Sequence, residues 1–157
     1  ECEAAAAFLE VDELRDATLD DLGELSGEWN PVLYRRARHV ISENQRTLDA
    51  ADALRAGNMR RMGLLMAASH ASMRDDFEVT VPAIDYLVEL VSGVLNGEGG
   101  VRMTGGGFGG CVVALVPSDG VGAVRAVVES HYTAETGNEA RVFECRPSAG
   151  SGIVPNW

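Results

Sequence analysis

The segment Thr104-Gly105-Gly106-Gly107-Phe108-Gly109-Gly110 carries five glycines in the six positions 105–110. Glycine enters the positive-φ regions freely and leaves no Cβ to block a neighbour. Such a run can point successive N–H groups at an anion, or let a second backbone or a ligand come close. A tight hairpin is the plainer account, yet two residues suffice for one. The surplus glycines cost unfolded-state entropy, so they point to function. Gly105, Gly107 and Gly110 also fit a GxGxxG pattern. A dinucleotide loop must open a helix, whereas here the apolar β run Cys111–Val116 follows. That reading fails. All 13 basic residues are Arg, so a P-loop, a kinase strand with its phosphate-binding lysine and a lysine Schiff base are excluded as well.

Asp75, Asp76 and Glu78 lie beside Arg74. Paired carboxylates can act as acid and base or hold Mg²⁺, which makes Asp75 and Asp76 candidate cleft-lining residues. Capping and solvated charge is the plainer account in a chain with 24 acidic residues. His39, His70 and His131 fall on expected helices with no ligand-type partner four residues on, so they read as structural or surface groups and no metal site is expected. Cys2, Cys111 and Cys145 are odd in number and lack CxxC spacing. They read as reduced thiols of a cytoplasmic protein.

The elements that must position these residues follow from spacing. Short helices are expected over Ala4–Leu9 and Leu14–Leu25, punctuated by Asn30-Pro31. A longer helix starts at Tyr34, with Val40, Ile41, Leu48, Ala51 and Leu54 as its apolar stripe and Gly57 as its stop. Asn58 caps the next helix, whose inner stripe is Met62, Leu65, Met66, Ser69 and Met73. After a partly extended break at 74–81, Pro82 sits in the first turn of a third helix with Ile84, Leu87, Val88, Val91 and Leu95 inward, closed by Gly97. Beyond residue 98 the period changes. Gly100–Thr104 reads as a strand, Cys111–Val116 as a strand buried on both faces, Val121–Tyr132 as a helix stopping at Gly137, and Arg141–Cys145 as a final strand. The sum is an α+β sandwich.

At 157 residues the chain is the size of one domain. Its formal charge of −11 argues against nucleic acid or an anionic membrane as partner, and no apolar run reaches the roughly 18 residues of a membrane span. The chain lacks an initiating Met and a basic leader region. It reads as a piece of a longer protein.

Val101-Arg102-Met103-Thr104, the glycine loop and Cys111 closely resemble the third signature of galactokinases, within the GHMP kinase superfamily. A second block, from Glu43-Asn44-Gln45-Arg46-Thr47 through Ser69-His70-Ala71-Ser72-Met73-Arg74-Asp75-Asp76-Phe77-Glu78-Val79-Thr80-Val81-Pro82, is similar to the same family. The likeness covers about residues 1–152 and corresponds to the C-terminal domain alone. It implies a ferredoxin-like sandwich, an antiparallel sheet with helices packed on one face. By the resemblance, residues 1–34 are connecting helices from a missing N-terminal half, 35–152 the core and 153–157 a tail.

The resemblance further implies ATP-dependent phosphorylation of the C1 hydroxyl of α-D-galactose, with Mg²⁺ on the nucleotide. The partners are then galactose, ATP and the N-terminal half, which holds the catalytic Asp, an Arg and the phosphate loop. No residue of this chain is expected to be catalytic, and alone it is expected to be inactive. Thr104 and the loop Gly105–Gly110 would close one wall of the cleft, with Phe108 anchoring the loop in the core. A non-catalytic sugar sensor of the same architecture, another GHMP small-molecule kinase and a stand-alone ligand-binding domain are the alternatives.

Overall fold

The computed structural model describes residues 1–24 and 30–148. Helix α1 (Cys2–Phe8), a 3-10 turn at Leu14–Asp16 and α2 (Leu19–Glu24) form a small N-terminal layer. A reciprocal cap starts α2: the Thr18 N–H donates to Asp21 Oδ2 at 2.8 Å, and the Asp21 N–H to Thr18 Oγ1 at 3.2 Å. Ala5, Ala6, Leu14, Ala17 and Leu22 bury their apolar surface against Ala37 and Ile41 of α3 (Pro31–Arg55). The expected single helix over Leu14–Leu25 is therefore two pieces, and Leu25 lies outside the described residues.

Helix α3 begins at Pro31 rather than Tyr34. Asn30 is extended and its side chain accepts the Val32 N–H at 2.9 Å. The Asn-Pro pair thus starts the helix, because proline at the first position lacks only an N–H that would have no partner there. Ile41 of the expected stripe is buried, but Leu48 and Leu54 are 62% and 54% exposed. The distal half of α3 meets α4 (Met59–Asp75) through small residues, Ala50 and Ala53, which turns the leucines outward. Gly57 (φ +63) and the Asn58 side chain, which accepts the Arg61 N–H at 2.9 Å, make the turn between them as expected. The α4 stripe Met62, Leu65, Met66, Ser69 and Met73 is buried.

Helix α5 (Pro82–Leu95) buries Ile84, Val88, Val91 and Leu95. Asn96, at φ +45, provides its left-handed stop just before the expected Gly97. Strands β1 (Gly100–Thr104) and β2 (Cys111–Leu115) pair antiparallel, from Gly100 opposite Leu115 to Thr104 opposite Cys111. Helix α6 (Val121–Thr136) runs between Gly120 and Gly137, and packs Val124, Val128 and Tyr132 on α5 and β1 residues.

The α+β class holds, with one sheet of two strands among the described residues. Two strand expectations need correction. Residues 141–145 form no strand. Ala140 and Val142 do pack on the α5–α6 core, and Val142 accepts from Arg125 Nη1 at 3.2 Å, but no ladder forms with β1 or β2. Nor is β2 buried on both faces: Cys111, Val113 and Ala114 are exposed. Helices cover β1, where Val101 and Met103 are buried, while no further strand pairs with β2 among the described residues. The proposed tail 153–157 lies outside the described residues.

Candidate functional site

Six residues, 105–110, join paired Thr104 and Cys111. Positive φ occurs at Gly105 (+100), Gly107 (+86), Phe108 (+58), Gly109 (+123) and Gly110 (+97). This left-handed backbone costs a side-chain-bearing residue about 1 kcal/mol or more, which accounts for four of the five glycines. Gly106 is the exception.

The loop has an inner and an open side. On the inner side, a Cβ on Gly107 would stand 2.7 Å from Val79 Cβ and 2.8 Å from the Val79 carbonyl oxygen. Beside it the Phe108 N–H donates to that same carbonyl at 2.6 Å. The loop is thus clamped to the segment between α4 and α5. On the open side, a Cβ on Gly105, Gly106 or Gly109 would meet nothing within 4 Å. These three positions can admit another molecule or chain to the backbone. Phe108 corrects an expectation: it is 75% exposed and anchors nothing in the core. Its backbone, not its ring, holds the loop.

Behind the loop lies a partly buried polar layer around the buried Ser69 and His70. His70 Nδ1 accepts the Met103 N–H at 3.3 Å, and His70 Nε2 faces Asp85 Oδ1 at 3.1 Å. Asp85 Oδ2 accepts from Thr80 Oγ1 at 3.2 Å. Burial holds the His70 ring below its ordinary pKa, against the opposing pull of Asp85. His70 is therefore neutral near pH 7, with Nδ1 as acceptor. Ser69 donates to Glu43 Oε2 at 2.6 Å and accepts from Arg102 Nη1 at 2.8 Å, joining α3, α4 and β1. Burial raises the Glu43 pKa, but the Ser69 and Arg46 hydrogen bonds outweigh it and keep it below the usual range.

Asp75 and Asp76 go different ways. Asp75 is exposed and pairs with Arg74 at 2.8 Å. Asp76 is buried, accepts from Ser72 Oγ at 2.9 Å and is ion-paired with Arg38. Its carboxylate is engaged inside the fold. His39 stacks on Phe77 with ring centroids 4.4 Å apart, and its Nδ1 lies 3.0 Å from Ser72 Oγ. His131 is on the exposed side of α6. The three cysteines are free thiols. Among the described residues no group of three or more His, Cys, Asp or Glu could hold a metal ion, and no helix is long and apolar enough to cross a membrane.

Sequence reasoning located the loop but missed its support, His70 and Asp85. They are fifteen residues apart on different helices, a spacing with no signature. Only Ser69 and His70, two polar residues interrupting an apolar helix face, hinted at a buried polar layer.

Comparison with known proteins adds a family. The profile described as "GHMP kinases C terminal" matches residues 50–134, from the end of α3 through the glycine loop to α6. The chain belongs to this GHMP kinase family. Among solved structures, this GHMP domain is similar to galactokinase of Lactococcus lactis, complexed with galactose. Identity is 37% and the TM-score 0.78, over 87% of this chain and 35% of that one. The GHMP domain thus spans about a third of that relative's length.

Proposed function

We propose that this GHMP domain is the C-terminal part of a galactokinase, which transfers the γ-phosphoryl group of ATP to the C1 hydroxyl of α-D-galactose. The likeness to a galactose-complexed galactokinase supports the choice of sugar. The observation that carries the site is the two-sided loop. Gly107 and Phe108 fix it on Val79, while Gly105, Gly106 and Gly109 face open space that side chains would fill. Phosphoryl transfer is mostly positioning and charge stabilisation, and a rigid loop with a bare outer side is suited to be one wall of such a cleft.

ATP with Mg²⁺ supplies the phosphoryl group and neutralises its developing charge when bound. This domain spans about a third of its galactokinase relative, and by that resemblance the metal's ligands, the proton-accepting base and the phosphate loop are assigned to the N-terminal half. Thr104 and residues 105–110 shape the cleft and carry no proton. Asp75 has the exposure to line it, whereas Asp76 supports the fold. The cytoplasm, where ATP and reduced thiols coexist, is the compartment this reading requires.

The test is ADP release by the full-length protein with galactose, other hexoses, mevalonate and homoserine. Galactose-dependent turnover, with galactose 1-phosphate as product, is expected. Preference for another acceptor would overturn the galactose assignment. Sugar binding without turnover would favour the sensor.

A further inference from the structure

We infer that His70 is a positioning residue for the glycine loop, fastening its root and its middle to one partly buried circuit. The root is Met103, one residue before Thr104. Its N–H, on the edge of β1 away from β2, finds no strand and donates instead to His70 Nδ1 at 3.3 Å. The middle is Phe108, whose N–H donates to the Val79 carbonyl at 2.6 Å. Val79 is followed by Thr80, whose hydroxyl donates to Asp85 Oδ2 at 3.2 Å. The other Asp85 oxygen faces His70 Nε2 at 3.1 Å, which closes the ring of contacts. Each of the two ring nitrogens thus serves one arm.

The circuit explains why the imidazole must be neutral and in one tautomer. Nδ1 can accept from Met103 only without a proton, so the hydrogen sits on Nε2, whose 3.1 Å approach to Asp85 Oδ1 is a close polar contact and not an aligned hydrogen bond. Protonation would place two N–H groups face to face and release the root. The charged groups around the ring are Asp85 of α5, Arg74 of α4 and Arg102 of β1. The two cations favour the neutral ring and Asp85 opposes them, while burial works against charge. Apart from its last readout, this inference does not rest on the proposed galactokinase activity.

Three variants of the full-length protein separate the arms. In His70→Asn the side-chain oxygen falls near the Nδ1 position and keeps an acceptor for Met103. In His70→Gln the amide nitrogen falls near Nε2 and keeps only the polar contact with Asp85. His70→Leu keeps neither. Amide hydrogen exchange at Met103 and Phe108 is the readout. His70→Leu should speed both by about tenfold, the size of one lost hydrogen bond. Met103 should stay protected in His70→Asn and lose protection in His70→Gln. Unchanged exchange in His70→Leu overturns the proposal, as does equal protection of Met103 in the Asn and Gln variants. Should the Leu variant not fold, the Asn–Gln contrast decides alone. In a galactokinase, kcat should fall in His70→Leu and recover in His70→Asn with KM for ATP unchanged. If the exchange pattern holds while no acceptor is phosphorylated, only the activity reading falls.

Discussion

Gly63 of α4 lies so close to Gly99 that a Cβ on Gly63 would stand 1.8 Å from the Gly99 carbonyl oxygen. On the opposing side, a Cβ on Gly100 would come within 2.8 Å of Gly63 Cα. The two backbones meet with no room for a methyl group, which seats α4 against the start of β1. Gly63→Ala gains up to about 1 kcal/mol in helix propensity, but the helix must move off the strand. Overpacking of this kind costs about 1–3 kcal/mol or more. A net loss of about 1–2 kcal/mol is expected in urea unfolding. A more stable variant would contradict the close approach.

Gly106 and Gly107 should behave as opposites. Gly107→Ala puts a methyl group into Val79 at positive φ, and stability should fall by about 2 kcal/mol. Gly106→Ala meets no atom and no backbone strain, so unfolding should shift by less than about 0.5 kcal/mol. Turnover of the full-length enzyme should nevertheless drop at least tenfold, because the methyl group enters the open side. A fully active Gly106→Ala enzyme would reduce the loop to a hairpin.

Mild acid should destabilise the fold through its histidines. Burial lowers the pKa of both His39 and His70 below the ordinary 6.5. Below pH 6.5 the unfolded chain therefore takes up more protons than the folded one, and stability decreases as pH falls. Each group contributes at most about 1.4 kcal/mol per pH unit. Carboxylates with lowered pKa, such as Glu43 and Glu78, add their own loss only below their ordinary 4.5. Unfolding midpoints from pH 6.5 to 5 should fall, and a His39→Asn/His70→Asn double variant should flatten the slope. A flat wild-type profile would refute burial of the neutral rings.

The adjacent aspartates should differ in stability. Asp76→Ala removes the buried partner of Ser72 and Arg38 and should cost about 2 kcal/mol or more. Asp75→Ala removes an exposed pair and should cost less than about 0.5 kcal/mol. Thermal unfolding checks both. Equal effects would show that Asp76 does not point inward.

The 157-residue chain by itself should phosphorylate no galactose. A coupled ADP-release assay reads this directly, and turnover above a buffer control would place the whole catalytic apparatus in this domain.

The helices were legible because their punctuation is local. Asn58 marks a helix start through its side-chain cap, and Pro82 and Gly137 mark ends through their own backbone chemistry. The glycine loop was legible because glycine runs are rare and serve specific backbone needs. Burial was less so. Leu48 has the spacing of a core residue but lies where α3 presents small side chains to its neighbour. Val113 sits in an apolar run but on an edge strand. The His70–Asp85 contact joins two helices through tertiary geometry, which spacing along one helix cannot reveal.

The first hydrophobic cluster has a consequence for how the chain opens. Every buried member of it lies at or before Ile41, and α1, the 3-10 turn and α2 meet the rest of the fold chiefly through α3. The second half of α3 packs with α4 in a separate cluster. At 25 residues, α3 runs about 37 Å as a strut shared by two cooperative units. Residues 1–24 can therefore detach as a foldon of their own while the sheet and α4–α6 stay intact. Native-state exchange would then resolve two opening free energies along a single chain, the smaller belonging to the N-terminal layer.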